Sequence, residues 1–365
     1  GAAALLLVSC GGAAPTAPAP PVPAPAADDL WVSAQGDDSS DGSRARPLRE
    51  IDRAAQLALP GTTVHVARGR YGPVHSGRGG LAQAPVTFVS EPARAAVVDA
   101  GGAVTAWTIS AAWVVVRGFD VTGALYNGVL TTASHGRVEG NRIHDLSGPS
   151  CERGGAGIVV ESYVAVDNVT SGNVVELVRV RGECARVHGI YYQSPDGGVI
   201  RDNLVVATSG WGIHLWHNAR GIRIENNTVV GNEQGGIAVG GSLVGNDEPP
   251  GRATGVLVAN NIVVGNGGPG IGEIGRTGAN SYVDNLTDDN ARGGYLLADG
   301  SDPARRVEAD PHFVDAVHGD YRLRGDSPAR DAGTETARAE GDLDLGGRLR
   351  RQGDAVDIGA YEHAP

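Results

Sequence analysis

The sequence contains no lysine and no methionine, and only 5% of its residues are aromatic. Every permanent side-chain cation is therefore an arginine. Patterns typical of long helices are nearly absent, which argues against a helical bundle. The formal net charge of -12 disfavours a nucleic-acid partner, because phosphate binding needs clustered positive charge. What the chain has in excess is glycine, 56 residues of it, and this texture of Gly, Val, Ile and Asn favours a β-rich repeat protein.

The first residues resemble the end of a bacterial export signal. Residues 1–9, GAAALLLVS, form an apolar run far too short to span a bilayer. Leu7 to Cys10 match a lipobox, in which the cysteine is lipidated, and the Pro/Ala-rich stretch that follows predicts an extended tether. We therefore predict that residues 1–27 are a signal remnant and tether lipidated at Cys10. The protein would then be exported and anchored at the cell envelope, or secreted; a low-complexity disordered start is the alternative.

An asparagine recurs at one position of an alternating apolar–polar pattern. The spacing between these positions, starting from Phe119, is 22, 32, 30, 24, 34 and 24 residues, so the unit has 22 to 24 residues plus insertions. A Gly–apolar pair follows each marker and starts another short strand. Such units describe the turns of an all-β parallel β-helix, with the asparagines stacked in a ladder. The six markers are Asn141, Asn173, Asn203, Asn227, Asn261 and Asn285.

This pattern resembles the right-handed parallel β-helix proteins of the pectate-lyase-like superfamily, over roughly residues 28–365. The opening LWVSAQGDDSSDG and the ending GDAVDIGAYEH look like those of secreted bacterial members. The resemblance implies an N-terminal cap at 28–62 and an irregular C-terminal cap at 303–365. In the first cap, a short helix would close the core with its apolar face. That face comprises Leu48, Ile51, Ala55 and Ala58.

Two adjacent units carry the same seven-residue insertion between the marker and the next glycine. Cys151 and Cys184 lie ten and eleven residues after their markers. Stacked strands are separated by about 4.8 Å, which suits the Cα separation of a disulfide, about 4.4 to 6.8 Å. We therefore predict a Cys151–Cys184 disulfide; two buried free thiols are the alternative.

The strand that follows each glycine predicts the floor of a trough. Alternation points its first apolar residue inward and the next outward, and the insertions would form walls. Aromatic and polar side chains together suit a sugar ring. The alternative is that a loop covers Trp216 and that His214 is a satisfied buried histidine. The outward residues of three adjacent units are Glu161, Tyr191, Gln193, His214 and Trp216, with Trp211 at the rim, His217 at the turn, and His188, Arg153 and Arg186 nearby.

These residue types suit a lyase or epimerase that acts on a uronic-acid-containing polysaccharide. Such chemistry needs a base, an acid and a group that neutralises the carboxylate. We predict His214 as base or acid and Tyr191 as its partner, with Gln193 and Arg186 orienting the carboxylate and Glu161 as an auxiliary. Substrate binding would fall to Trp216, Trp211, Gln193, His217, His188, Arg186 and Arg153.

Other readings stay open at this stage. Some pectate lyases of this fold use a lysine base with Ca²⁺ held by clustered aspartates, and a chain without lysine cannot do so. No metal site is predicted, although Ca²⁺ remains open as a carboxylate ligand. A glycoside hydrolase would pair Glu161 with Glu152 or Glu183. A non-catalytic glycan-binding or adhesion protein would use the tryptophans alone. In each case we expect a monomer with a polysaccharide partner and a membrane contact only through the lipid.

Overall fold

The computed structural model describes residues 29–148, 150–151, 153–180, 184, 186–193, 195–242, 251–298, 302–337 and 342–364. The predicted signal remnant and tether, with Cys10, lie outside these residues, as do Glu152 and Glu183. Within the described ranges, no helix is long and apolar enough to cross a membrane.

The described chain is built almost entirely of short strands. The α-helix α1 spans Ile51–Leu57 and a 3-10 helix spans Ala316–His318. The strands are β1 Leu30–Val32, β2 Thr63–Tyr71, β3 Val74–Ser76, β4 Val86–Asp99, β5 Thr105–Ile109, β6 Val114–Arg117, β7 Asp120–Thr122, β8 Asn127–Thr131, β9 Arg137–Glu139, β10 Arg142–Gly148, β11 Gly155–Glu161, β12 Val169–Ser171, β13 Val174–Val180, β14 Val187–Gln193, β15 Val199–Arg201, β16 Leu204–Val206, β17 Trp211–Trp216, β18 Arg223–Glu225, β19 Thr228–Val230, β20 Gly235–Gly240, β21 Leu257–Ala259, β22 Ile262–Val264, β23 Ile271–Ile274, β24 Ser281–Val283, β25 Leu286–Asp288, β26 Tyr295–Leu296, β27 Val307–Glu308, β28 Phe313–Asp315 and β29 Asp320–Leu323.

These strands form a parallel β-helix with three columns, which confirms the predicted fold class. One column is a nine-stranded sheet that runs from β3 to β26 through every strand that follows a Gly–apolar pair. The other two columns belong to one 18-stranded sheet, because β2 and β4 are long enough to take part in both. All ladders of both sheets are parallel; the separate β28–β29 pair is antiparallel.

The Gly–apolar signature has a packing explanation. The apolar member enters the core, and Ile158, Ile190, Ile213, Ile237 and Ile271 stack as direct partners with no exposed surface. A Cβ on the glycine before each of the first four would lie 2.1 to 2.4 Å from the Cγ1 atom of a valine of the opposite column; before Ile271, a Cβ on Gly270 would lie 2.7 Å from Asn290 Nδ2. Glycine is therefore required for the two columns to approach closely. The glycines and their valines are Gly157–Val175, Gly189–Val205, Gly212–Val229 and Gly236–Val263.

The six marker asparagines form the predicted ladder. The Nδ2 of each of the first five donates to the Oδ1 of the next marker at 2.8 to 3.1 Å, the last, Asn285, donates to the Val258 carbonyl, and all six side chains are fully buried. The same Oδ1 atoms accept the backbone N–H of the preceding marker, as at Phe119 and Asn141. The ladder thus satisfies polar groups that the tight turn would otherwise leave buried and unpaired. The sequence reading missed a second, shorter ladder, Thr208–Asn232–Asn266–Asn290, at the next turn.

We expect Asn227→Ala to lower the free energy of unfolding by about 2–3 kcal/mol, because it leaves buried donors of Asn203 without an acceptor. The control is Asn290→Ala, the same change at the half-buried end of the shorter ladder, where water replaces part of the lost bonding. Urea denaturation monitored by circular dichroism measures both. Equal losses would contradict the role given to burial.

The four residues predicted for the apolar face of the N-terminal helix are buried, but only Ile51 and Ala55 belong to α1; Leu48 bridges to Val32 and Ala58 follows the helix end. Leu48, Ile51, Ala55 and Ala58 are each at most 1% exposed, and α1 contacts the first strands of the helix. Cys151 and Cys184 form the predicted disulfide, with Cα atoms 5.3 Å apart. The boundaries given to the two caps remain predictions.

The C-terminal segment lies along the side of the β-helix rather than over its end alone. After β27 has extended the sheet beside β25, the chain runs back over three earlier units. Asn260 exchanges two hydrogen bonds with Thr334, and the Asn226 Nδ2 donates to the Asp357 carbonyl at 2.9 Å. A small apolar core closes this contact. It contains Ile262, Val264, Leu286, Leu323, Ala329 and Ile358.

A buried carboxyl makes this contact sensitive to pH. Glu362 is 2% exposed, and burial raises its pKa from 4.5 to about 8 despite the nearby Arg350 guanidinium. The folded protein therefore holds a proton that the unfolded chain has lost between these two values. Stability consequently falls as the pH rises through that window.

We expect Glu362→Gln to flatten the decline in melting temperature between about pH 5 and pH 8, because the amide cannot ionise. Glu335→Gln, the same change on an exposed ion pair with Arg351 in the same segment, should leave the decline as it is. Calorimetry across the pH range measures both, and an unchanged slope in the Glu362 variant would refute the assignment.

Candidate functional site

The register of the nine-stranded sheet brings the predicted floor residues side by side. Tyr191 pairs directly with His214, and Gln193 pairs with Trp216. Glu161 pairs with Gln193 one unit earlier. Because the strands are parallel and in step, the outward positions of successive units form continuous rows on one face of the sheet.

A cavity of about 760 Å³ lies over this floor. It collects all the predicted site residues except Trp211, together with several residues that the sequence reading did not name. The predicted residues in its lining are Arg153, Glu161, Arg186, His188, Tyr191, Gln193, His214, Trp216 and His217. We call this cavity the trough.

The two tryptophans of β17 lie over glycines of the next unit. A Cβ on Gly240 would lie 2.4 Å from the Trp216 ring, and one on Gly235 would lie 2.3 Å from the Trp211 ring. The small outward residues after β17 are therefore what makes room for these rings. Trp216 remains half-buried and lines the trough, whereas Trp211 is 9% exposed and lines a neighbouring cavity.

His214 is buried, not exposed as expected, and it belongs to a hydrogen-bonded chain. The Trp211 backbone N–H donates to His188 Nδ1 at 3.1 Å. A backbone N–H only donates, so neutral His188 carries its proton on Nε2. That nitrogen lies 2.9 Å from His214 Nδ1, which must accept. Neutral His214 therefore carries its own proton on Nε2, and this atom has no hydrogen-bond partner among the described residues.

This chain opposes protonation of either ring. An added proton would turn an accepting nitrogen into a donor that faces another donor. Burial lowers the pKa of His188 to about 3. Burial, with the neighbouring His188 and His217, also holds the pKa of His214 well below its usual range. In this state His214 carries an N–H donor at Nε2, which is itself buried, and this nitrogen cannot accept a proton. Of the two roles predicted for His214, the role of base is therefore excluded.

We expect both rings to stay neutral, with the proton on Nε2, between about pH 5 and pH 8. Two-dimensional ¹H–¹⁵N spectra of the imidazoles report the tautomer and charge directly, and His214→Gln and His188→Gln assign the signals. The control is the protein unfolded in urea, in which both rings should titrate. A protonated Nδ1 in folded His214 would disprove the chain.

The trough wall carries two arginines on loops joined by the disulfide. Arg153 and Arg186 are exposed, and neither forms an ion pair with another described residue. The Gly155 N–H donates to the Arg186 carbonyl at 3.0 Å, and the Arg153 guanidinium lies 5.7 Å from the centre of the Tyr126 ring. Both cations are therefore available to an anionic ligand.

Glu161 is the only carboxylate among the described residues that line the trough. It is exposed, and none of the described salt bridges involves it. Across the described residues, no group of three or more His, Cys, Asp or Glu side chains could hold a metal ion. The donor set thus does not fit a Ca²⁺ site of the kind that clustered aspartates form.

Tyr163 contacts two residues that line the trough, Gln193 and His217, and was not predicted from the sequence. Its hydroxyl accepts a hydrogen bond from Gln193 Nε2 at 3.3 Å, and its ring lies 5.9 Å from that of His217. It lies two residues after Glu161, the last residue of β11. Beyond the strand, the alternation of inward and outward side chains no longer predicts which way a side chain points. Its aromatic side chain, 59% exposed, was the one available signal.

Comparisons with known proteins agree with this architecture. The family model described as a right handed beta helix region matches residues 107–247. The fold of the described chain is a right-handed parallel β-helix. A crystal structure of pectate lyase Pel9A superimposes on it with a TM-score of 0.59 at 15% identity, over 93% of this chain and 97% of the other. A structure described as a glycoside hydrolase gives a TM-score of 0.53 at 10% identity, over 82% and 99%.

At these identities the two structures show the fold of this β-helix and not its activity. The fold that the resemblance to the pectate-lyase-like superfamily implies is thereby confirmed. No curated protein matches the sequence significantly.

Proposed function

We propose that this β-helix is a carbohydrate-active protein that binds a uronic-acid-containing polysaccharide in the trough and acts on it as a lyase or an epimerase. The observation that carries the proposal is the buried chain from the Trp211 N–H through His188 to His214, which fixes an unpaired N–H donor just beneath the floor of the trough, beside Tyr191. A fixed donor in a site shielded from water stabilises developing negative charge.

Elimination and epimerisation begin with the same step. The proton next to the uronate carboxylate leaves, and negative charge spreads onto the carboxylate oxygens. The exposed Arg186 guanidinium is suited to pair with that charge and Gln193 to orient the carboxylate, while the buried His214 Nε2–H would favour the charge from beneath the floor. In elimination the bond to the leaving oxygen then breaks and that oxygen takes up a proton; in epimerisation a second donor adds a solvent-derived proton to the opposite face of the same carbon.

We assign proton transfer to Tyr191. Because His214 already carries its proton on Nε2 and His188 uses both ring nitrogens, neither is free to accept another. The Tyr191 ring packs 5.4 Å from that of His214 and is half-buried in the trough. As the phenolate, Tyr191 would take the proton next to the carboxylate, and the phenol so formed would give a proton to the leaving oxygen in elimination. Glu161 and Arg153 would contact neighbouring sugars, and Trp216 would pack against a sugar ring.

Hydrolysis is less well supported. A glycosidase needs two carboxyl groups flanking the bond, and the described part of the trough supplies Glu161 alone. Export remains part of the proposal: a disulfide between Cys151 and Cys184 suits an oxidising compartment, and lipidation at Cys10 would anchor the protein.

The test is the ultraviolet absorbance of the unsaturated uronate that elimination creates. We expect a rise with at least one of pectate, alginate, hyaluronan and chondroitin, unaffected by a chelator. Tyr191→Phe should lower the turnover number by about 10²- to 10⁴-fold, and His214→Gln should also lower it. Tyr71→Phe, whose hydroxyl bonds to the Ala67 carbonyl in β2, is the matched control.

The other outcomes are distinct. Epimerisation would give no absorbance but would incorporate solvent deuterium into the polymer. New reducing ends without absorbance would mean hydrolysis and would overturn the proposal. Retention of a polymer with no chemical change would reduce the protein to a binding module.

A further inference from the structure

A second cavity of about 340 Å³ lies beside the trough on the outer face of the nine-stranded sheet. Ile274 lines both, so the two cavities follow one another along the axis of the β-helix. Trp211 forms part of its wall, held in place over Gly235. An apolar ring beside polar groups again suits a sugar. The polar groups in this lining are Glu233, Gln234, Glu273 and Arg292.

The charges of the second cavity differ in sign from those of the trough. Glu233 and Arg292 are exposed, and neither forms an ion pair with a described residue. Glu273 adds a second carboxylate. The second cavity therefore has two carboxylates and one guanidinium. The trough, by contrast, has two guanidinium groups, of Arg153 and Arg186, and one carboxylate, of Glu161.

Glu273 is a fixed negative charge. It accepts hydrogen bonds from the Tyr282 hydroxyl at 2.6 Å, from Asn280 Nδ2 at 3.0 Å and from the Ala298 N–H at 3.0 Å. Thr277 supplies a further bond. Burial opposes ionisation, but these donors outweigh it and hold the pKa of Glu273 below its ordinary value. Both Glu273 oxygens already accept hydrogen bonds from the protein. The carboxylate therefore repels an anion bound in the cavity and is not an acceptor for the hydroxyl groups of a ligand.

We propose that the second cavity is a subsite for an uncharged sugar, and that the substrate is a polymer in which uronates alternate with neutral residues. This inference rests on the proposed function and narrows its substrate class. A uronate in the second cavity would meet two carboxylates for one guanidinium. A neutral ring instead contacts the small exposed part of the Trp211 ring that lines this cavity, while its hydroxyl or acetamido groups bond to Glu233, Gln234 and Arg292.

The test compares polymer binding by the full chain in the Tyr191→Phe background, so that no polymer is consumed. Hyaluronan and unsulfated chondroitin alternate uronate with a neutral sugar; polygalacturonate carries a carboxylate on every residue. We expect at least about tenfold tighter binding of an alternating polymer by affinity electrophoresis, and about a tenfold loss in Trp211→Ala for that polymer alone.

A charge reversal tests the same point without removing the ring. Glu233→Arg should strengthen binding of polygalacturonate several-fold, because the added guanidinium favours a uronate in the second cavity. Glu308→Arg makes the same change on the exposed strand β27, in the 18-stranded sheet. This control should leave the ratio of the affinities for the two polymers unchanged.

The failures can be told apart. The neutral subsite is wrong, while the proposed function stands, if three results occur together. Polygalacturonate would bind as tightly as hyaluronan, Glu233→Arg would change neither affinity, and Arg186→Gln would still weaken the binding of both polymers. If the chain retains none of the polymers, both are wrong.

Discussion

The structure depends on one constraint: the backbone groups at each turn of the β-helix must find partners inside the core. Asparagine meets it, because one side chain accepts from the unit before and donates to the unit after. Since each marker bonds to the next, the units stack in step. That fixed register is why Tyr191 and His214, which lie 23 positions apart in the sequence, become direct neighbours.

Much of the fold and the floor of the trough could be predicted from the sequence, because both follow from local periodicity. Alternation after each Gly–apolar pair was enough to align Glu161 with Gln193 and Trp216. The equal insertions were enough to pair the cysteines. These features depend on distances counted along the chain, which the sequence contains directly.

The features that the sequence did not predict depend on side-chain conformations and on hydrogen bonds between side chains and distant backbone groups. Trp211 and Trp216 lean over the glycines of the next unit, and His214 is consequently more enclosed than an outward position suggests. The partnership of His188 with the Trp211 N–H joins a side chain to a main-chain group in another unit. The docking of the C-terminal segment on Asn226 and Asn260 is likewise a contact between residues far apart in the chain, for which periodicity gives no signal.

The arrangement of the site follows from the same architecture. Its floor is rigid, since every floor residue belongs to a strand bonded on both sides. Its cations instead stand on loops, which the Cys151–Cys184 bond ties to each other. Precise donors below and cations above suit a long, flexible, anionic chain better than a small ligand, because a polymer can adjust to the wall while one sugar is held by the floor.

The C-terminal segment should change the cooperativity with which the β-helix unfolds. A solenoid in which each unit touches only its neighbours behaves as a one-dimensional array that frays from its ends. Here one segment bonds to three units at once, through Asp202, Asn226 and Asn260. Loss of the last units therefore requires release of that segment from the middle of the array, and the final half of the β-helix should melt as one cooperative block.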